Sequence, residues 1–352
     1  MKQSIMPFLF GLILSLSVLL LVYESDIAIH IIKVLVLLLI AFPVAILIHE
    51  IGHVIGALLT RAKIVQFLWG PFMLFVQQKR LKVSWKNKYF FGAVMVDSSN
   101  YVQDADSFKA DCKRQFVISV MGPLISIVTG GAALIVSYPN DSIGFMSLYG
   151  TLSLVIGIGT LLMTDGKQGI MMFRKNYALA YYWALFFTVP HVNKDSLRFL
   201  LNESEYHLSS TFENNKQNIA LNLSDLHILY FIMYFCQVTG KELRIKNDFV
   251  EVLKESISNL TLPKQSREMV ALILCYEVVN IRLENKREDA ERLLLLLETA
   301  DVDIHPMMKQ RMQLFLNRSS DGGKSYIAQL QDEDVLRCYE EPFLKEWGFW
   351  KT

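Results

Sequence analysis

The feature of this sequence that most constrains its fold is an apolar run from Val34 to Thr60 that carries three ionisable side chains near its end. The run is long enough to cross a bilayer as a helix. An ionisable group at membrane depth costs several kcal/mol and is retained mainly where it lines a site. The three ionisable residues of the segment His49-Glu50-Ile51-Gly52-His53 therefore indicate a chemical role.

The spacing of these residues indicates a metal site. Positions four apart lie on one face of a helix, so His49 and His53 can bind one cation while Glu50 lies beside it. This pattern is typical of zinc metalloproteases, in which the glutamate is the general base. The alternative is a chance match of polar residues to the pattern.

A catalytic zinc site usually has three protein ligands and one open position, so a third ligand is expected from elsewhere in the chain. Asp165 follows the apolar segment that ends at Met163 and is the candidate. An Asp-Gly pair after a helix is more often a turn, and that alternative stays open here.

Four apolar segments have about the 20 residues that a bilayer demands: Pro7 to Tyr23, Val34 to Thr60, Phe116 to Tyr138 and Gly144 to Met163. The first is predicted to be a retained anchor, although a secretory signal peptide has a similar pattern. The loop from Arg61 to Gln115 is rich in Lys and Arg, which places it in the cytoplasm. We therefore expect a multi-pass protein of the cell membrane, with its metal site near the cytoplasmic leaflet.

Between Lys63 and Val96 the pattern changes to short apolar runs separated by turn residues such as Gly70-Pro71. This pattern predicts three or four short strands. Alternation along them is imperfect, which favours a small sheet at the membrane surface. A sheet that merely braces the helices is the alternative.

The predicted fold class is mainly α, with a polytopic transmembrane core, a small membrane-associated β region at about 63–97 and a C-terminal all-α soluble domain. The domains are residues 1–33 (anchor and external loop), 34–175 (core), 176–192 (an interfacial or short membrane helix) and 193–352 (amphipathic helices). In the third, Tyr181, Tyr182 and Trp183 are expected at headgroup level. The last domain reads either as a repeat-like solenoid or as a plain helical bundle.

Charge and cysteine content exclude other classes. A net charge of +1 without a concentrated basic face gives no case for nucleic acid binding. The four cysteines are far apart and form no C-x-x-C pair, so neither a cysteine zinc site nor a disulfide framework is indicated.

Three blocks in order give the chain a family resemblance: His49-Glu50-x-x-His53, Met121-Gly122-Pro123-Leu124-Ile125-Ser126 and Asp165-Gly166. Over roughly residues 34 to 170 it resembles the site-2 protease family of intramembrane zinc metalloproteases. The resemblance implies zinc held by His49, His53 and Asp165, with Glu50 as the catalytic residue. Ser126 stands where the family often has Asn, so we expect it to bind substrate in place of that residue. Gly122-Pro123 has an alternative reading as a helix-packing site.

The function expected is zinc-dependent cleavage of a peptide bond in or near a transmembrane segment of a membrane protein or small precursor peptide. Phe91 and Gly92 are expected to bind the unwound substrate, since extended backbone pairs with an exposed sheet edge. One alternative is an inactive scaffold of the same fold, which recruits a protein partner through the C-terminal helical domain. The other is a metal transporter. The lipid bilayer is the remaining expected partner.

Overall fold

The computed structural model describes residues 26–76, 78–84, 92–97, 102–138, 144–186, 193–214, 222–239, 246–257, 263–283, 286–300, 302, 304 and 312. The chain forms two compact units. Residues 1–97 and 113–170 form the membrane-helix unit, and residues 98–112 and 171–352 form the C-terminal unit. The domain boundaries expected from sequence stay a prediction.

Three long apolar helices dominate the membrane-helix unit: α1 (Asp26–Leu59), α2 (Ala105–Ser137) and α3 (Phe145–Met163). All three are long and apolar enough to cross a membrane, with α3 continuing into the short helix α4 (Asp165–Met171). They correspond to three of the four predicted apolar segments. The fourth, Pro7 to Tyr23, lies outside the described residues.

Helix α1 runs without interruption through Pro43. Proline cannot donate a backbone hydrogen bond and disturbs the preceding turn of a helix. The Pro43 carbonyl accepts a hydrogen bond from the indole Nε1 of Trp69 at 3.0 Å. The Trp69 side chain of the sheet thus contacts α1 about 1.7 turns before His49.

The β region is a four-stranded antiparallel sheet made of β1 (Lys63–Trp69), β2 (Phe72–Phe75), β3 (Arg80–Val83) and β4 (Ala93–Asp97). Its strand order is β3-β2-β1-β4, so β3 and β4 are the edges. Gly70 has φ +55, which suits the tight turn between β1 and β2. The prediction of a small sheet is confirmed.

Small residues allow the three long helices to approach closely. A Cβ on Gly52 of α1 would lie 2.7 Å from the Gly122 Cα of α2, and one on Gly56 would lie 3.0 Å from the Ile118 Cα. A Cβ on Gly157 of α3 would lie 3.0 Å from the Ser126 Cβ. Such small-residue contacts are typical of helices packed in membranes. Gly122 therefore does have the packing role that was its alternative reading.

The described part of the C-terminal unit is helical: α5 (Lys175–Phe186), α6 (Lys194–Asn214), α7 (Leu223–Thr239), α8 (Lys246–Ile257), α9 (Lys264–Leu283) and α10 (Arg287–Thr299). These helices share one apolar core, to which α5 contributes Ala178, Leu179, Tyr182, Trp183 and Phe186.

Tyr182 and Trp183 are fully buried in that core, so the expectation that they lie at headgroup level is wrong. The Tyr182 hydroxyl donates to Asp111 Oδ2 at 2.5 Å, and the Trp183 Nε1 donates to Ser204 Oγ at 2.9 Å. Burial and the neighbouring Asp111 carboxylate raise the pKa of Tyr182 well above its usual value. Their polar atoms are therefore satisfied inside the protein. Whether α5 also touches a membrane stays a prediction.

Candidate metal centre

The two histidines lie on successive turns of α1 with their rings edge to face, at 83° and with centroids 4.8 Å apart. Both side chains are almost completely buried, at 6% exposed for His49 and 10% for His53. Their Nε2 atoms point toward each other and are 3.2 Å apart. This is the arrangement that the four-residue spacing predicts.

Asp165 approaches the same point from the first residue of α4. Its Oδ2 lies 3.0 Å from His49 Nε2 and 3.6 Å from His53 Nε2. A carboxylate is favoured at the N-terminus of a helix by the helix dipole. The structure thus brings together the three residues that the sequence assigns as ligands, although Asp165 is far from the histidines along the chain.

The Nδ1 atom of each imidazole contacts a residue of α2. The Nδ1–H of His53 donates to the Ile118 carbonyl at 2.7 Å, and Nδ1 of His49 lies 3.0 Å from Ser126 Oγ. A carbonyl can only accept, so His53 carries its proton on Nδ1 and has a lone pair on Nε2 when it is neutral. The same assignment for His49 follows when the Ser126 hydroxyl accepts.

In these tautomers, three acceptor atoms face one another without a proton between them. Buried acceptors at such distances repel each other unless a cation lies among them. Zinc bonds of about 2.0–2.2 Å in a tetrahedral arrangement separate neighbouring ligand atoms by roughly 3.3–3.5 Å. The three observed separations run from 3.0 to 3.6 Å. Two imidazole nitrogens and one carboxylate oxygen, placed in this way, fit zinc.

Glu50 lies beside this cluster and is 5% exposed. A ligand atom from each of His49, Glu50 and His53 falls within 4.8 Å of the others. Among the described residues, Glu50 Oε2 has no hydrogen-bond partner, although it is buried. A buried carboxylate oxygen of this kind requires a partner such as water or a ligand.

Gly92, the residue before β4, lies against the Glu50 carboxyl. A Cβ on Gly92 would overlap the Glu50 Oε1, and the φ of Gly92 is +116, a region that favours glycine. The backbone of the sheet edge can therefore lie against the carboxylate only because residue 92 has no side chain. Phe91, the other residue expected here, lies outside the described residues.

Ser126 lies against the His49 ring. Its side chain is fully buried, and its hydroxyl contacts the Nδ1 side of that ring, which is the side remote from Asp165. The expected contact between Ser126 and substrate stays a prediction. Sequence reasoning missed the Ile118 carbonyl, since a backbone atom leaves no signal in the side chains.

Comparison with known families identifies a family for this chain. The sequence model described as peptidase family M50 matches residues 37–287, which is more than half of the chain. No curated protein and no solved structure matches it. The matched range contains His49, Glu50, His53 and Asp165. It also continues beyond residue 170, where the resemblance carried by the motifs ends, into the helices of the C-terminal unit.

Proposed function

The chain belongs to peptidase family M50, the site-2 protease family, and from this premise we propose that it is an intramembrane zinc metalloprotease. Its substrate would be a peptide bond in or near a transmembrane segment of a membrane protein or small precursor peptide. One observation carries the proposal: Nε2 of His49, Nε2 of His53 and an oxygen of Asp165 converge within 3.0 to 3.6 Å of one another, beside a buried carboxylate oxygen of Glu50 that has no partner among the described residues.

In this proposal His49, His53 and Asp165 hold zinc, and the side facing Glu50 stays open. Bound zinc supplies a positive charge that polarises the scissile carbonyl, and it lowers the pKa of water in its open position to about 7. The Ile118 carbonyl and the packed α2 helix keep the imidazoles oriented. The protein's contribution is therefore a fixed orientation of two buried imidazoles and one partly buried carboxylate.

Glu50 moves the proton. Its Oε2 accepts a proton from the attacking water as general base, and returns it to the leaving amine as general acid. The partner that this oxygen lacks within the described part of the chain is, in this view, supplied by water or substrate. Proton transfer by a positioned side chain contributes about 10²–10⁴-fold to the rate.

Substrate binding is assigned to the edge of the sheet. A transmembrane helix hides its peptide bonds in its own hydrogen bonds, so it must unwind locally before cleavage. Strand β4 is an edge of the sheet, and Gly92, the residue before it, lies beside Glu50. An unwound segment that pairs with β4 would therefore place its backbone next to the general base. Phe91 and Gly92 are the residues that we assign to this contact.

The orientation in the membrane follows from charge. The basic loop between the second and third apolar segments is placed in the cytoplasm by the positive-inside rule. His53 and His49 would then lie roughly 12–18 Å from Arg61 along the helix axis, within reach of cytoplasmic water. The protein would be a multi-pass protein of the cell membrane, cleaving near the cytoplasmic leaflet.

The experiment that tests the function compares Glu50→Gln with wild type and with Glu251→Gln, the same change at an exposed residue of α8. Purified full-length protein is assayed for bound zinc, and membrane peptides that accumulate in cells are identified by mass spectrometry. We expect Glu50→Gln to bind zinc as wild type does and to lose cleavage by about 10²–10⁴-fold. The control should cleave normally.

Other outcomes would overturn the proposal. A wild-type protein without stoichiometric zinc would exclude the metal mechanism. Identical peptide profiles in wild type and Glu50→Gln cells would favour the inactive scaffold with a partner at the C-terminal domain. A change in cellular metal uptake without any change in peptides would favour a transporter.

A further inference from the structure

We infer that Ser126 is a positioning residue of the metal centre, which acts on the metal through His49. This inference rests on the proposed function, because it concerns how the ligand is held. The Ser126 Oγ lies 3.0 Å from His49 Nδ1, and by accepting a proton from that nitrogen it would leave the lone pair of Nε2 directed at the point shared with His53 and Asp165.

The contact is fully enclosed. Ser126 has no exposed surface and the His49 side chain is only 6% exposed, so the hydrogen bond between them is shielded from water. A buried imidazole N–H that loses its acceptor cannot replace it with bulk water. A neutral His49 ring is then more stable with its proton on Nε2, from which it donates to Asp165. Nε2 can no longer bind the metal in that tautomer.

The position of Ser126 follows a repeat on α2. Ile118, Gly122 and Ser126 are spaced four apart and line the face of α2 that meets α1. His53 and His49 are likewise four apart on α1. Ile118 supplies an acceptor to His53, Gly122 leaves room for the His53 ring, and Ser126 supplies an acceptor to His49. One helix therefore orients both imidazoles, by a backbone oxygen in one case and a side-chain oxygen in the other.

Helix α3 holds the serine in place from the other side. A Cβ on Gly157 would lie 3.0 Å from Ser126 Cβ and 2.9 Å from the Pro123 carbonyl oxygen, so α3 packs directly against this part of α2. Such packing limits the movement of Ser126. It explains how a small side chain can fix the orientation of a ring.

The test measures zinc affinity in the full-length protein in detergent, by competition with a chelator. Every variant carries Glu50→Gln, so that self-cleavage cannot affect the result. Ser126→Ala removes the acceptor. Its matched control is Ser153→Ala, because Ser153 of α3 is also a fully buried serine and its Oγ has no hydrogen-bond partner within the described residues. Ser126→Thr keeps the hydroxyl oxygen.

We expect Ser126→Ala to weaken zinc binding by about 10–100-fold, the usual effect of losing a partner of a metal-binding histidine. Ser153→Ala and Ser126→Thr should bind zinc as the parent does. In thermal unfolding of the metal-free proteins, Ser126→Ala should unfold at a lower temperature than Ser153→Ala, since only Ser126 has a hydrogen-bond partner to lose.

Three results would overturn the inference. Ser126→Ala could bind zinc as tightly as its parent, which would leave the proposed function intact. The two alanine variants could weaken binding equally, which would indicate a packing effect. Ser126→Thr could bind as weakly as Ser126→Ala while keeping the parent's unfolding temperature. A parent without zinc would instead refute the proposed function, and the inference with it.

Discussion

Gly122 is the position at which the smallest possible change should do the most damage to the metal centre. In Gly122→Ala the new Cβ would overlap the His53 ring, at 2.5 Å from Cε1 and 2.8 Å from Cδ2. Cβ atoms in proteins are seldom closer than 3.4 Å to a neighbour. His53 Nε2 is closer still, so the ring or the helix must move by up to about 1 Å.

That displacement is small for the fold but large for a metal ligand. Crowding a packed site costs about 1–3 kcal/mol, and replacing glycine by alanine inside a helix returns about 1 kcal/mol. The net loss of unfolding free energy should thus be about 0–2 kcal/mol. Metal–ligand distances tolerate deviations of only about 0.2 Å, so zinc affinity should fall by more than about 100-fold.

The assay is zinc competition with a chelator, together with thermal unfolding of the metal-free protein. Gly131→Ala is the matched control, because it makes the same change on the same helix where no described atom lies within 4 Å of the added Cβ. It should bind zinc normally and be slightly more stable than wild type. The reasoning is refuted if Gly122→Ala binds zinc as tightly as Gly131→Ala.

Three further predictions test separate contacts. Gly92→Ala should keep its zinc but lose at least about tenfold in cleavage, because the new Cβ overlaps the Glu50 carboxyl; zinc content and cleavage are measured on one preparation. Asp165→Asn should weaken zinc binding by more than about tenfold in chelator competition, since an amide lacks the carboxylate's charge; unchanged binding would contradict its assignment as a ligand. Tyr182→Phe should lower the unfolding free energy by about 1–3 kcal/mol in denaturant titration, because buried Asp111 loses a donor; a stability equal to wild type would argue against this.

Local periodicity was enough to predict the arrangement of His49, Glu50 and His53, because four-residue spacing determines the shared face of a helix. Asp165 could be suggested only by the depth at which its segment ends and by the family resemblance. Its apolar segment was expected to end on the same side of the membrane as the histidines. The structure places its carboxylate 3.0 Å from His49 Nε2. The small sheet could be predicted from turn residues. Its strand order could not, because it depends on contacts between strands that are not adjacent in sequence.

The role of Ser126 and the burial of Tyr182 and Trp183 could not be predicted, for a common reason. Helix α2 is apolar on most of its surface around the serine, so hydropathy does not reveal which face meets α1. The aromatic residues of α5 resemble a membrane-interface belt until their partners Asp111 and Ser204 are known. Both cases depend on contacts between residues that are far apart in sequence.

Because Ile118, Gly122 and Ser126 lie on one face of α2, the alignment of α2 with α1 and the binding of the metal change together. If α2 slides along α1, the supports of both imidazoles are displaced together, and neither ring can compensate for the other. By thermodynamic reciprocity, anything that shifts this helix pair alters metal affinity, and metal binding resists the shift to the same extent. The fraction of molecules that bind metal would then report how well α1 and α2 are aligned.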